Sequence, residues 1–219
     1  MVGPADSFIA AHTALEAPPA CPEIRLHLAT EITPMWQATE DFLTRHNLPP
    51  PYWAFAWAGG QAVARFLLDN PRWVAGKSVL DFAAGSGLVA IAAAKAGAAK
   101  VETAEIDPMA NAAIALNAAA NGVAVTILDG DVLDQTDMPW DIIAAGDVCY
   151  ERPMAKRVLA WLKRCRDKGA TIILGDPGRA YLPGSGLVRL GSYTIPCSLE
   201  LEDRTSREAA IYTLERPTE

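Results

Sequence analysis

Short apolar runs alternate with longer, alanine-rich segments from about residue 60 to residue 174. Short apolar runs bounded by turn residues are typical of buried strands, whereas the longer segments favour helices. The predicted strands cover 78–82, 100–105, 124–128, 141–146 and 171–174, and the predicted helices cover 60–70, 88–96, 108–121 and 153–165. Because strands and helices alternate, the pattern predicts a parallel sheet with helices on both faces.

The two ends of the chain follow other patterns. Residues 187–195 and 208–214 are strand-like with no long helix between them, which predicts an antiparallel pair at one edge of the sheet. Residues 6–16 favour a short helix, residues 23–29 alternate like a half-exposed strand, and Thr33-Pro34 predicts the start of another helix. We therefore predict one α/β domain over residues 1–219, with a mostly parallel seven-stranded sheet, an N-terminal extension at 1–50 and the core at 51–219.

Composition narrows the class of protein. The chain has 219 residues, of which 51% are hydrophobic, so it can bury the core of one sizeable domain. Its net charge is −7 and no basic run stands out, which argues against nucleic acid as a partner. The four cysteines form no CxxC pair and the three histidines are scattered, so we expect neither a metal site nor disulfides. With neither a signal peptide nor a membrane-length apolar run, the protein is expected to be soluble and cytoplasmic.

Acidic residues follow the predicted strands at the point where each strand ends. In open α/β sheets, ligands bind beyond the carboxyl ends of the strands, where the strand order reverses. Five acidic residues at consecutive strand ends therefore predict a ligand site rather than a solvated face. These residues are Asp81, Glu105, Asp131, Asp147 and Asp176.

The glycine-rich turn after the first core strand leaves two classes of cofactor open. Gly85-Ser86-Gly87-Leu88-Val89-Ala90 matches G-x-G-x-x-G/A, and Glu105 lies 20 residues beyond Gly85, as in sites for NAD or a related nucleotide. However, a carboxylate at Asp81 would repel a pyrophosphate. S-adenosylmethionine has no phosphate and carries an ammonium and a sulfonium, so acidic neighbours favour it. Glu105 would accept from the ribose hydroxyls and Asp131 from the adenine amine. We predict S-adenosylmethionine; NAD and a turn without ligand are the alternatives.

Three successive segments resemble the cofactor motifs of class I, seven-β-strand methyltransferases over about residues 60–215. They are Asp81 with Gly85 and Gly87, then Glu105-Ile106-Asp107-Pro108, and then Asp131-Val132. The resemblance implies a Rossmann-like class I methyltransferase fold, with S-adenosyl-L-homocysteine as the product of the cofactor. The cofactor-binding residues that it implies are Trp57, Gly60, Asp81, Ala83, Gly85, Gly87, Leu88, Glu105, Ile106, Asp131, Val132 and Asp147.

The segment Asp147-Val148-Cys149-Tyr150 indicates the acceptor. DNA and glutamine methyltransferases of this class carry an asparagine-proline-proline-aromatic motif there, whereas Asp-x-x-Tyr resembles the lysine-specific branch. A carboxylate suits a lysine ammonium, and Tyr150 can supply a hydroxyl or a π face. We therefore predict Asp147 and Tyr150 as the catalytic residues. Cys149 has no partner histidine, so a catalytic thiol is not expected.

A further resemblance covers nearly the whole chain. The segment 51–62 is similar to the P-Y-W-x-F-x-W-x-G-G-Q-A signature of electron transfer flavoprotein β-subunit lysine methyltransferases, and Gly175-Asp176-Pro177-Gly178-Arg179 and 22–34 also match that family. The resemblance implies that Trp57 and Gly59-Gly60 pack against the cofactor. It also implies that the substrate is the β subunit of electron transfer flavoprotein, presenting an exposed lysine. Ala83-Ala84 and Ser86 replace the Gly or Cys found in the family, a change of small residues for small ones.

Several alternatives stay open at this point. The acceptor could instead be another lysine-bearing protein such as a ribosomal protein, a small molecule or a nucleic acid, and a non-catalytic cofactor-binding module is a further possibility. Tyr52 could pack in the core or line the site. Asp176-Pro177-Gly178 favours a tight turn, with substrate contact by Asp176 or Arg179 as the alternative. Asp107 is expected to cap a helix.

Overall fold

The computed structural model describes residues 3–29, 50–197 and 199–215. Most of the sequence-predicted elements fall within these ranges. The helix predicted to begin at Thr33-Pro34 lies outside the described residues.

One sheet within the described residues contains seven strands. They are β3 (Ser78–Phe82), β4 (Lys100–Ala104), β5 (Thr126–Leu128), β6 (Ile142–Gly146), β7 (Thr171–Asp176), β8 (Leu187–Pro196) and β9 (Ser206–Leu214). Their spatial order is β5-β4-β3-β6-β7-β9-β8. Strands β3 to β7 pair in parallel, whereas β9 pairs antiparallel with both β7 and β8. The predicted parallel sheet and its antiparallel edge are therefore confirmed.

Six α-helices accompany these strands in the described residues. They are α1 (Pro4–His12), α2 (Ala58–Asp69), α3 (Leu88–Lys95), α4 (Pro108–Ala120), α5 (Arg152–Asp167) and α6 (Leu199–Glu202). Proline in the first turn starts both α4 and α5, where its missing N–H has no helical partner to lose. Asp107 caps α4 by accepting a 2.8 Å hydrogen bond from the Met109 amide, as expected. No helix in the described ranges is both long enough and apolar enough to cross a membrane.

The N-terminal segment departs from its prediction in one respect. The sequence predicts a single helix over 6–16, but α1 ends at His12 and Ala14–Glu16 form the short strand β1. β1 pairs antiparallel with β2 (Leu26–Leu28), with Leu15 opposite His27. The one-helix prediction is wrong because pairing with a strand 10 residues away satisfies the backbone better than a last helical turn, and local propensity does not register that partner.

Hydrophobic packing covers both faces of the sheet. Neighbouring residues of a strand point to opposite faces, so Leu80 joins the cluster around Trp161 on one face while Val79 joins the cluster around Val63 of α2 on the other. The chain runs from β3 outward to β5 and then returns to β6 on the other side of β3. The strand order thus reverses between β3 and β6, and the carboxyl ends of these strands flank the crevice in which such folds bind ligands.

Candidate active site

A cavity of about 640 Å³ opens at the carboxyl ends of β3, β4 and β6. Its volume lies within the range of about 300–1,000 Å³ typical of small-molecule sites. Nine of the predicted site residues line it: Trp57, Ala83, Gly85, Glu105, Ile106, Asp131, Val132, Asp147 and Tyr150. A second cavity of about 660 Å³ lies against α3, α4 and β5, but half of its lining residues are alanines and none is a predicted site residue. We therefore take the first cavity as the candidate site.

Four predicted cofactor residues lie behind the cavity wall: Gly60, Asp81, Gly87 and Leu88. Asp81 is only 2% exposed, and its Oδ2 accepts a 2.9 Å hydrogen bond from the Ala90 amide of α3. Burial raises the pKa of this carboxyl well above its usual value. The structure thus places Asp81 as a link between β3 and α3 rather than as a charge that faces the cavity. Leu88 packs beside Ile91, which explains why it too is withdrawn from the wall.

Glu105 organises one end of the cavity. Its Oε2 accepts from the Gly85 amide at 2.9 Å, and its Oε1 accepts from the amides of Ile106 at 2.8 Å and Asp107 at 3.1 Å. The carboxylate therefore holds the glycine turn after β3 against the loop after β4. Both glycine amides of the turn are already engaged, since Gly87 donates to the Ala84 carbonyl at 2.8 Å, and neither is free to bind a pyrophosphate.

Three carboxylates give this part of the wall, which we call the acidic end, its negative charge: Glu105, Asp107 and Asp131. Asp131 accepts from the Leu133 amide at 2.9 Å and pairs with Arg157 at 2.9 Å. Beside them Ile106 is 76% exposed on the cavity wall, so it offers an apolar surface to a ligand. The acidic end therefore favours a ligand that has a flat apolar group and no phosphate.

Three aromatic rings form another part of the wall, which we call the aromatic end: those of Tyr52, Trp57 and Tyr150. The ring centroid of Tyr52 lies 5.9 Å from that of Trp57 and 6.0 Å from that of Tyr150. Trp57 is held in place because its Nε1 donates to the Tyr52 carbonyl at 2.8 Å. Of the two open interpretations of Tyr52, the structure supports the one in which it lines the site. Tyr150 is 43% exposed, and burial of the rest of the residue raises the pKa of its hydroxyl.

Asp147 adopts the left-handed conformation with φ of 57°, which short polar residues tolerate. Its Oδ2 accepts from the amides of Gly59 at 2.5 Å and Gly60 at 3.2 Å, at the start of α2. Its Oδ1 accepts from Arg179 Nε at 2.8 Å. Burial raises the pKa of the Asp147 carboxyl to about 6, and the Arg179 charge opposes that rise. Asp147 therefore joins three separate segments of the chain at the aromatic end.

Glycine is required where α2 meets the sheet. An added Cβ at Gly59 would lie 2.5 Å from Asp147 Oδ2 and 2.5 Å from the Gly175 carbonyl oxygen. The start of α2 therefore packs directly on the ends of β6 and β7, and the glycine pair of the 51–62 segment has a packing reason. Gly60, which the resemblance assigns to the cofactor, donates its amide to Asp147 Oδ2 at 3.2 Å.

Arg179 is the main site residue whose role the sequence did not decide. Its guanidinium lines the cavity, pairs with Asp147 at 2.6 Å and Glu202 at 2.8 Å, and lies 5.8 Å from the ring centre of Trp57. The Gly-Asp-Pro-Gly-Arg segment gave a signal for Arg179, but none pointed to Glu202, which lies 23 residues away. Asp176 forms the expected turn, since its Oδ1 accepts from the amides of Gly178 and Arg179.

The site offers little support for thiol or metal chemistry. Burial raises the pKa of Cys149 to about 12, so its thiol stays protonated at neutral pH and is a poor nucleophile. The described residues include no group of three or more His, Cys, Asp or Glu side chains arranged to hold a metal ion. The ionisable groups on the cavity wall are therefore carboxylates, tyrosine hydroxyls and the guanidinium groups of Arg157 and Arg179.

Comparison with solved structures agrees with the fold. The crystal structure of ribosomal protein L11 methylase from Lactobacillus delbrueckii subsp. bulgaricus matches 73% of this chain and 79% of that chain, with a TM-score of 0.51 and 20% identity. SMU.776, crystallised in complex with SAH, matches 73% of this chain and 50% of its own, with a TM-score of 0.53 and 14% identity. The fold is therefore the α/β, Rossmann-like fold of class I methyltransferases.

Comparison of sequences identifies the family. The family model for ribosomal protein L11 methyltransferase (PrmA) matches residues 67–149. The electron transfer flavoprotein beta subunit lysine methyltransferase of Xenopus laevis is 35% identical over 95% of this chain and 86% of its own length. That of Rattus norvegicus is 36% identical over 87% of this chain and 76% of its own length. The chain is therefore a methyltransferase and belongs to the electron transfer flavoprotein beta subunit lysine methyltransferase family.

Proposed function

We propose that this enzyme transfers a methyl group from S-adenosylmethionine to a lysine side chain of the electron transfer flavoprotein β subunit. The observation that carries the proposal is the single cavity, which joins the acidic end to the aromatic end. A donor and an acceptor can therefore meet inside one enclosed site. The names of the relatives that cover most of the chain support the same substrate.

The acidic end fits S-adenosylmethionine. Its carboxylates oppose phosphates, the amides of Gly85 and Gly87 are occupied, and Ile106 offers an exposed apolar face to an adenine ring. Glu105 and Asp131 would accept from the ribose hydroxyls and the adenine amine through their remaining lone pairs. When bound, S-adenosylmethionine supplies an electrophilic methyl group and leaves as S-adenosyl-L-homocysteine.

The aromatic end fits a lysine side chain. Tyr52, Trp57 and Tyr150 can enclose its methylene groups and exclude water. Asp147 and Tyr150 are proposed as the catalytic residues, with Tyr150 contacting the amine and Asp147 organising the site around it. In-line transfer depends mainly on alignment, which held side chains provide.

The electrostatics of the whole protein support a basic docking segment on the partner. A net charge of −7 favours approach of a lysine-bearing loop and disfavours nucleic acid. The expected cytoplasmic location stays a prediction, as does the division of the chain at residue 50.

Mass spectrometry tests the proposed function directly. Purified enzyme is incubated with S-adenosylmethionine and either the electron transfer flavoprotein β subunit or ribosomal protein L11. We expect methylated lysine on the former. Methylation of L11 alone, of glutamine or arginine, or of a small molecule would contradict the proposed substrate.

Two further measurements test the proposed cofactor and the proposed catalytic residues separately. Calorimetry should detect binding of S-adenosyl-L-homocysteine and no comparable binding of NAD. Asp147→Asn and Tyr150→Phe should each lose most of the methylation while retaining affinity for S-adenosyl-L-homocysteine. Full turnover in both variants would mean that the acceptor lies elsewhere in the cavity.

A further inference from the structure

The Asp147 carboxylate has no free position for a substrate ammonium. A carboxylate offers about four lone-pair sites. The Asp147 carboxylate already accepts from four donors: the amides of Gly59 and Gly60, and Nε and Nη2 of Arg179. A lysine ammonium would have to displace one of them to bind Asp147 directly.

The guanidinium of Arg179 is also held by Glu202, through two further hydrogen bonds. Glu202, which is 4% exposed, contacts its Nη1 at 3.2 Å and its Nη2 at 2.8 Å, and Glu202 also pairs with Arg207. The backbone of Arg179 is fixed by the turn at Asp176, through a 2.6 Å hydrogen bond from the Arg179 amide. The guanidinium thus has a defined place between Asp147 and the Trp57 ring, on the cavity wall.

The charges around Asp147 come from several elements. Arg179 and Asp176 belong to the β7 end and its turn, Glu202 to α6, and Arg207 to β9. Tyr150 lies on the other side of the aromatic end, within electrostatic reach of Tyr52, Glu105 and Glu151. Without Arg179, the Asp147 carboxylate would lose its guanidinium partner, whereas Glu202 would keep its pair with Arg207.

Taking the proposed lysine methylation as given, we propose that Arg179 is a positioning residue that neutralises Asp147, so that the substrate lysine enters as a free amine. A free lysine has an ordinary pKa of about 10.4, and only its neutral form has the lone pair that attacks. An uncompensated carboxylate would stabilise the ammonium and raise that pKa, whereas the Asp147–Arg179 pair does not.

The reaction then balances without a further protein base. The lysine ammonium releases its proton to water as it leaves bulk solvent. The nitrogen lone pair forms the new bond to the methyl carbon, and the electron pair of the carbon–sulfur bond stays on sulfur. The residues of this chain hold the amine in line and exclude water, and the aromatic end supplies the rings of Tyr52, Trp57 and Tyr150 for this purpose.

The test is the pH dependence of kcat for methylation of the electron transfer flavoprotein β subunit, since kcat reports ionisation in the bound complex. Arg179→Gln should move the midpoint of the rising limb upward by about one pH unit or more, the usual effect of an unpaired opposite charge. Asp147→Asn should move the midpoint of its residual rate downward. Arg179→Lys and the double variant Asp147→Asn/Arg179→Gln should keep it near the wild-type value.

Arg157 provides the matched control. It is another arginine on the cavity wall, but it pairs with Asp131 and Asp134 at the acidic end. Arg157→Gln should weaken binding of S-adenosyl-L-homocysteine without moving the pH midpoint. Circular dichroism and thermal unfolding verify that each variant is folded.

Two outcomes overturn the positioning role. The first outcome is that Arg179→Gln methylates more slowly than the wild type at every pH while the midpoint of its pH profile stays unchanged. An arginine with a purely structural role would produce that result. The second, which remains decisive if Arg179→Gln fails to fold, is an unshifted or raised midpoint for Asp147→Asn. If the wild-type enzyme leaves the β subunit unmethylated, the proposed function itself fails, and that result is distinct from both.

Discussion

The amide of Gly59 donates a 2.5 Å hydrogen bond to Oδ2 of Asp147, and an added Cβ at Gly59 would lie 2.5 Å from that same oxygen. The first turn of α2 therefore reaches Asp147 only because residue 59 has no side chain. This contact sets the distance between α2, which follows Trp57, and the end of β6. Substitutions on either side of the contact should separate packing from chemistry.

Gly59→Ala should destabilise the protein by about 1–3 kcal/mol, the usual cost of overpacking a close contact. The displaced Asp147 should also reduce methylation. Gly60→Ala is the matched control, since an added Cβ there meets nothing within 4 Å. It should change stability by less than about 1 kcal/mol. Urea unfolding of both variants measures the difference, and equal losses would show that the close approach at Gly59 is not what limits packing.

Glu105→Gln should weaken binding of S-adenosyl-L-homocysteine by about 10- to 100-fold, because hydrogen bonds to a charged group contribute about 1.5–3 kcal/mol. Glutamine keeps only one acceptor oxygen, so it cannot accept from the Gly85 amide and from the Ile106 and Asp107 amides on separate oxygens, and it has no negative charge to offer the ligand. Asp129→Asn removes a nearby exposed charge that does not line the cavity, and its affinity should match that of the wild type. Calorimetry measures the affinity of each variant for S-adenosyl-L-homocysteine. Equal affinities for the wild type and Glu105→Gln would show that Glu105 does not contribute to the cofactor site.

Asp81→Asn should become more stable relative to the wild type as the pH rises. Burial raises the pKa of Asp81 in the folded state, so the folded protein holds its proton more tightly than the unfolded chain does. That contribution is complete below the unfolded pKa of about 3.9 and is lost as the pH rises through the folded pKa. The asparagine has no such loss. Urea unfolding at pH 5 and pH 8 without ligand measures the trend, which a constant difference would contradict.

Tyr150→Ala should lower kcat/KM for lysine methylation by about 10-fold, within the range expected for loss of a desolvated aromatic contact. Its effect on stability should be small because the side chain is half-exposed. Tyr181→Ala is matched in exposure, at 42% against 43%, but Tyr181 does not line the cavity. Steady-state kinetics should therefore leave Tyr181→Ala near the wild type. A similar fall in both variants would indicate a general effect on folding.

The sequence determined the elements and the family. Alternating apolar and helical segments predicted every strand of the large sheet, because a strand or a helix is set mainly by periodicity within a few residues. The glycine turn and Glu105 likewise located the acidic end of the cavity, since both follow strand ends that parallel pairing must bring together. The helix wrongly predicted at residues 14–16 has the same cause. That segment forms a strand because it pairs with β2, which lies too far along the chain for local periodicity to detect.

The tertiary structure decided what each acidic residue contacts. Asp81 and Asp147 look alike in the sequence, each ending a buried strand. The fold turns Asp81 beneath the glycine turn to bind α3, and gives Asp147 the amides of α2 and a guanidinium 32 residues away. The physical reason is that burial and long-range partners, which no local pattern encodes, determine the contacts and the pKa of a carboxylate.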